Sequence, residues 1–103
     1  MNLTNKNFQH VLDTNEVVLV DFWAGWCAPC KMLSPSINQL KSEFDGRAIV
    51  GKVNTTVENQ LAARFGIRSL PTILIFKDGK IAEQLTGVRP KTQYADKLNY
   101  YLN

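Results

Sequence analysis

Val17-Val18-Leu19-Val20-Asp21-Phe22-Trp23-Ala24-Gly25-Trp26-Cys27-Ala28-Pro29-Cys30 is the stretch on which the fold turns. Its first seven residues are almost continuously apolar, β-branched or aromatic, which suits a strand covered on both faces and therefore central in its sheet. A Cys-Ala-Pro-Cys run follows within a few residues, where that strand ends and a helix begins. Leu33, Ile37, Leu40 and Phe44 then recur at helical spacing until Gly46 stops the run. Pro35 falls inside this helix, where it removes one backbone hydrogen bond and is expected to kink the axis.

Cys27 and Cys30 are the only cysteines in the 103 residues, so the chemistry converges on one dithiol. Thiols three positions apart can close a small ring, and the one that opens a helix is favoured as a thiolate by the helix dipole and by free backbone N–H groups. Cys27 is therefore read as the nucleophile, at an exposed helix start, and Cys30 as the resolving thiol, turned inward. Half of many zinc sites looks the same. A structural zinc, however, wants four ligands, and beyond these two the chain offers one histidine, His10, and no other cysteine. No metal is expected, and a buried, inert cysteine pair is the remaining alternative.

Working outward, residues 48–53 read as a second strand, followed by a helix with Val57, Leu61 and Phe65 on one face and Gly66 as its stop. After Pro71 come Ile73-Leu74-Ile75-Phe76, Lys77-Asp78-Gly79-Lys80 and an apolar run over residues 81–86. An Asp-Gly pair between two such runs signals an antiparallel hairpin. Pro90 opens a last helix with Tyr94, Leu98, Tyr101 and Leu102 inward, and Phe8, Val11 and Leu12 suggest a first one. Helices alternating with strands give an α/β fold, expected as a mostly parallel sheet covered on both faces with one antiparallel hairpin at its edge.

The length suits a single domain over residues 1–103, and the 45% hydrophobic content is ample for one core. No stretch approaches the roughly 18 apolar residues of a membrane span, and residues 1–6 lack the apolar core of a signal peptide, so a cytoplasmic protein without membrane contact is expected. In a reducing compartment two cysteines are more plausibly a working pair than a static staple. The formal charge of +3 comes from twelve dispersed basic residues, no two adjacent, which favours a solvated mixed surface over a nucleic-acid site. There is no phosphate-binding glycine loop, internal repeat or low-complexity tract.

These residues together resemble the thioredoxin family over essentially the whole chain. The resemblance is carried by Val20-Asp21-Phe22-Trp23-Ala24 running into Trp26-Cys27-Ala28-Pro29-Cys30-Lys31, then Gly66-Ile67-Arg68-Ser69-Leu70-Pro71-Thr72, Phe76-Lys77-Asp78-Gly79, and Gly87. It implies a central five-stranded mixed sheet flanked by four helices, and a monomer that reduces disulfides in protein substrates. The implied partner is a thioredoxin reductase drawing electrons from NADPH, with no cofactor bound to this chain. By the same resemblance Pro71 is cis, with the backbone of Leu70 beside the dithiol, and Trp26, Pro29, Leu70, Pro71, Gly87 and Val88 form a shallow apolar docking surface. Taken alone Pro71 would be read as trans, since only about one X-Pro bond in twenty is cis in folded proteins. Three positions depart from the family pattern. Ala28 stands where glycine is usual, Thr56 where an acidic residue often supports the first tryptophan, and Gly25 at a variable place.

Asp21, a carboxyl in an otherwise apolar strand, is the candidate base for Cys30, because burial should raise its pKa towards neutrality. Lys52, on the neighbouring strand by resemblance, would temper that rise; a surface placement is the alternative for both. Proline rather than histidine at position 29 argues for a reductant over an oxidase or isomerase. A rival from another class is a redox-independent binding module or subunit that uses the apolar surface around Trp26 and Leu70.

Overall fold

A computed structural model describes residues 1–103. The strand anticipated at Val17–Trp23 is β1, and it is preceded by α1 (Phe8–Thr14) and followed by α2 (Ala28–Glu43). Then come β2 (Ile49–Asn54), α3 (Asn59–Arg64), β3 (Thr72–Lys77), β4 (Lys80–Thr86) and α4 (Lys91–Leu102). The sheet order is β2-β1-β3-β4, so β1 is central as its composition requires. No helix is long and apolar enough to cross a membrane.

Alternation along β1 sorts its side chains between two cores. Val17 and Leu19 join Leu33, Ile37 and Leu40 of α2, Tyr94 and Leu98 of α4, and Ile73 and Ile75 of β3. Val18, Val20 and Phe22 join Phe8, Val11 and Leu12 of α1, Leu61 of α3, and Leu74 and Phe76 of β3. Asp21 and Trp23 share the parity of Val17 and Leu19 and so lie on the α2 side. In β2 the same rule puts Lys52 with Val50 on that side and Gly51 with Val53 on the other.

Helix length decides strand direction. At about 1.5 Å per residue the sixteen residues of α2 span roughly 24 Å, enough to carry the chain back across the sheet, and β2 runs parallel to β1. The six residues of α3 span only about 9 Å, so β3 starts at the end where β2 stopped, with Thr72 beside Phe22, and runs antiparallel to β1. With the β3–β4 hairpin also antiparallel, the expectation of a mostly parallel sheet is corrected: one of the three strand pairs is parallel.

The expected fifth strand is reduced to a single parallel bridge, Asn2 to Lys52. The Leu3 N–H donates to the Lys52 carbonyl at 2.8 Å and the Lys52 N–H to that of Met1 at 2.9 Å. Pairing stops there because the next residue turns away. The Thr4 N–H is taken by the Asn7 side chain and the Thr4 carbonyl accepts from Phe8 at the start of α1. Leu3 is buried across Gly51, where a Cβ would come within 2.6 Å of its Cδ1.

Two local expectations also change. Val57 lies outside α3 and is 69% exposed, because Asn54 accepts from the Thr56 N–H and folds residues 54–57 into a turn before the helix can start. Phe65 sits just past the end of α3, and its ring meets those of Phe8, Phe22 and Phe76. As expected, Pro35 lies inside α2, and its exposed position leaves the carbonyl one turn earlier open to water.

Candidate active site

Cys27 caps the N-terminus of α2 with extended dihedrals (φ −93°, ψ 106°). Its Sγ accepts the Cys30 N–H at 3.2 Å, one of the donors a helix start leaves without an internal partner. Pro29 costs the helix nothing in its first turn, where its missing N–H would be unpaired anyway. Cys27 and Cys30 are joined in a disulfide with Cα atoms 5.3 Å apart. Both are buried, each 4% exposed, which corrects the expectation of an exposed Cys27. Trp23 and Leu70, packed against Ala24 and the two cysteines, form part of this cover.

Around the sulfurs, Trp26 is 76% exposed, Pro29 and Val88 are exposed, and Leu70 and Gly87 are half-buried. The Leu70–Pro71 bond is cis. The Pro71 carbonyl accepts the Gly87 N–H at 2.9 Å, so the loop after β4 is tied to the loop before β3. Gly87 has φ 86°, a conformation glycine adopts without the strain a side chain brings. Leu70 reaches the cysteines directly and Gly87 joins the site through Pro71, while Val88 is the next residue in the chain and is exposed.

Beneath the dithiol lies a cavity of about 140 Å³ lined by Asp21, Trp23, Cys30, Lys31, Ser34 and Lys52. Strand parity delivers Asp21 and Lys52 to it, and the two are register partners across β1 and β2. Asp21 is 2% exposed and its Oδ1 has no hydrogen-bond partner. Burial raises its pKa from 3.8 to about 6, against the opposing pull of the Lys52 charge. Lys52 is half-buried and donates from Nζ to the Ser34 Oγ at 3.0 Å. Such a carboxyl can take or give a proton near neutral pH within the wall that holds Cys30.

Ser34 is the residue sequence reasoning missed. Its signal was its place four residues after Cys30, which puts both on one helix face. Thr56 is exposed and does not reach Trp23, whose Nε1 is buried without a partner. The Trp23 carbonyl is held by the N–H and hydroxyl of Thr55. His10 is exposed on α1, which packs on the opposite face of the sheet from the dithiol.

Comparison with known proteins agrees with this geometry. The family model described as Thioredoxin matches residues 1–100. A thioredoxin of Chlorobaculum thiosulfatiphilum is 47% identical over 100 residues, covering 96% of this chain and 93% of its own. Thioredoxin 2 of Chlorobaculum tepidum is 45% identical, covering 96% and 92%. Among solved structures, an asparagine-to-glutamine mutant thioredoxin from Halobacterium salinarum NRC-1 superposes with a TM-score of 0.92 at 32% identity, over all of this chain and 90% of that one.

Proposed function

The chain belongs to the thioredoxin family and is a thiol–disulfide oxidoreductase, and from that premise we propose how its residues divide the work. The reduced Cys27 thiolate attacks one sulfur of a substrate disulfide. That S–S bond breaks, a mixed disulfide forms, and the other substrate sulfur leaves as a thiolate that is protonated by solvent. Cys30 then gives its proton to Asp21, and its sulfur attacks the Cys27 sulfur. The mixed disulfide breaks, the Cys27–Cys30 bond forms, and the second substrate thiolate departs. That second thiolate is protonated by solvent and Asp21 returns its proton to solvent, so the substrate gains two electrons and two protons, while the pair, starting with Cys27 ionised, loses two electrons and one proton.

The observation that carries this reading is the Cys30 N–H aimed at the Cys27 sulfur, which supports negative charge there. Pro29 places no basic group between the cysteines to make the disulfide strongly oxidising, so the net direction is reduction. A thioredoxin reductase drawing on NADPH returns the pair to the dithiol. Disulfide-bearing proteins dock on Trp26, Pro29, Leu70, Gly87 and Val88, with the buried Pro71 beneath them shaping the loop, and the protein works as a cytoplasmic monomer.

The experiment is capture. Cys30→Ser holds substrates as mixed disulfides that a reductant releases, and Cys27→Ser holds none. The 76% exposure of Trp26 favours a second use of the same face, as a redox-independent clamp. Partner binding retained by the variant lacking both thiols supports the clamp, and binding lost with the thiols supports the exchange reaction.

A further inference from the structure

A flexible ammonium and a buried carboxylate share the cavity under the dithiol without pairing. Asp21 and Lys52 face each other across β1 and β2, yet no ion pair joins them; the chain's ion pairs are Lys77–Glu16, Lys91–Glu43 and Lys97–Glu83. Asp21 Oδ1 is left without a partner while Lys52 Nζ spends a hydrogen bond on Ser34. We propose that Ser34 is a positioning residue, holding the Lys52 ammonium off Asp21 so that the carboxylate stays free to exchange a proton with Cys30. The inference rests on Asp21 being the base for Cys30.

A buried carboxylate oxygen is a strong attractor for a nearby cation, and a charge-assisted bond would fix it in its ionised form. A carboxylate so held is a poorer proton acceptor, because protonation must then break the pair. The Ser34 hydroxyl competes for the ammonium from the other wall. Cys30 and Ser34 lie one turn apart on α2, so one rigid element sets both the sulfur that loses the proton and the hydroxyl that retains the cation.

The other groups facing Asp21 leave this competition intact. Lys31 and Cys30 come from α2, and Trp23 from β1 is neutral. Tyr94 on α4 feels the Asp21 charge, but its hydroxyl accepts from the Arg89 N–H at 3.1 Å.

The test uses Ser34→Ala, Ser34→Thr and Ser34→Ala combined with Lys52→Gln. Carboxyl-carbon NMR follows Asp21 in the oxidised protein, where neither cysteine titrates. A second assay follows release of substrate thiol from a preformed mixed disulfide across pH. Ser34→Ala should move the Asp21 midpoint down by about one pH unit and slow release at pH 7 severalfold. Ser34→Thr should behave like the parent, and the added Lys52→Gln should abolish the downward shift. An unchanged or raised midpoint in Ser34→Ala, or a downward shift that survives Lys52→Gln, overturns the proposal. A midpoint that falls with release unchanged shows that Ser34 controls Lys52 but removes Asp21 as the base, which separates the two readings.

Discussion

The backbone N–H of Cys30 points at the sulfur of Cys27, 3.2 Å away, whereas no such donor is directed at the sulfur of Cys30. Both residues are equally buried, so chemical asymmetry between them comes from this donor and the helix start rather than from access. In the reduced protein at pH 7, iodoacetamide should alkylate Cys27 roughly tenfold or more faster than Cys30. Peptide mass mapping of a time course measures the ratio, and equal rates would reverse the assignment of roles.

Asp21→Asn separates stability from activity. The folded-state pKa of Asp21 is raised to about 6 from 3.8 by burial, so the protonated acid favours the folded state. That contribution is intact below pH 3.8, declines as pH rises, and is gone above about 6. At pH 7 the Asn variant should be more stable than the parent by about 3 kcal/mol, and the advantage should vanish below pH 4. Urea melts at several pH values check this half. Release from the mixed disulfide should slow roughly tenfold or more at neutral pH, and the deficit should shrink as hydroxide takes over.

Gly51→Ala should destabilise the protein by about 1–3 kcal/mol, because the new Cβ would meet the buried Leu3 side chain at 2.6 Å and 2.8 Å. Leu3→Ala alone should also destabilise. The double variant should lose less than the sum of the two, since each change relieves the other. Denaturant midpoints for the four proteins give the coupling, and strict additivity would mean that Leu3 does not occupy the space over Gly51.

The indole N–H of Trp23 is buried and unpartnered, with Thr56 at the position where the family often places an acid. Thr56→Asp should supply an acceptor and stabilise the protein by about 1 kcal/mol at pH 7, with the gain lost on protonation at low pH. The indole N–H resonance should move downfield in proton NMR. A stability loss with no change in that resonance would show that the turn holds residue 56 out of reach.

Much of this was legible in the sequence because it depends on short-range periodicity. The parity of Asp21 with Val17 and Leu19, and the spacing of Leu33, Ile37 and Leu40, needed only residues within a few turns. What escaped depends on distant partners. Whether β3 would run parallel turned on six residues of α3 being too short to cross the sheet, and the Asn54 turn that shortened the helix was hidden by the apolar spacing of Val57, Leu61 and Phe65. The burial of Cys27 depends in part on Leu70, more than forty residues later, and Ser34 became visible only when Lys52 was placed across from it.

The borders of the sheet bear on how the protein behaves in a crowded solution. Free strand borders invite neighbouring chains to add on and start aggregates. On one border Met1 to Leu3 occupies β2 at Lys52. On the other, β4 carries Lys80, Glu83 and Gln84, and an irregularity at Ile75/Phe76 breaks the even ladder it would present. Neither border is a long, flat, apolar template, so neither invites a second chain to extend the sheet and seed an aggregate.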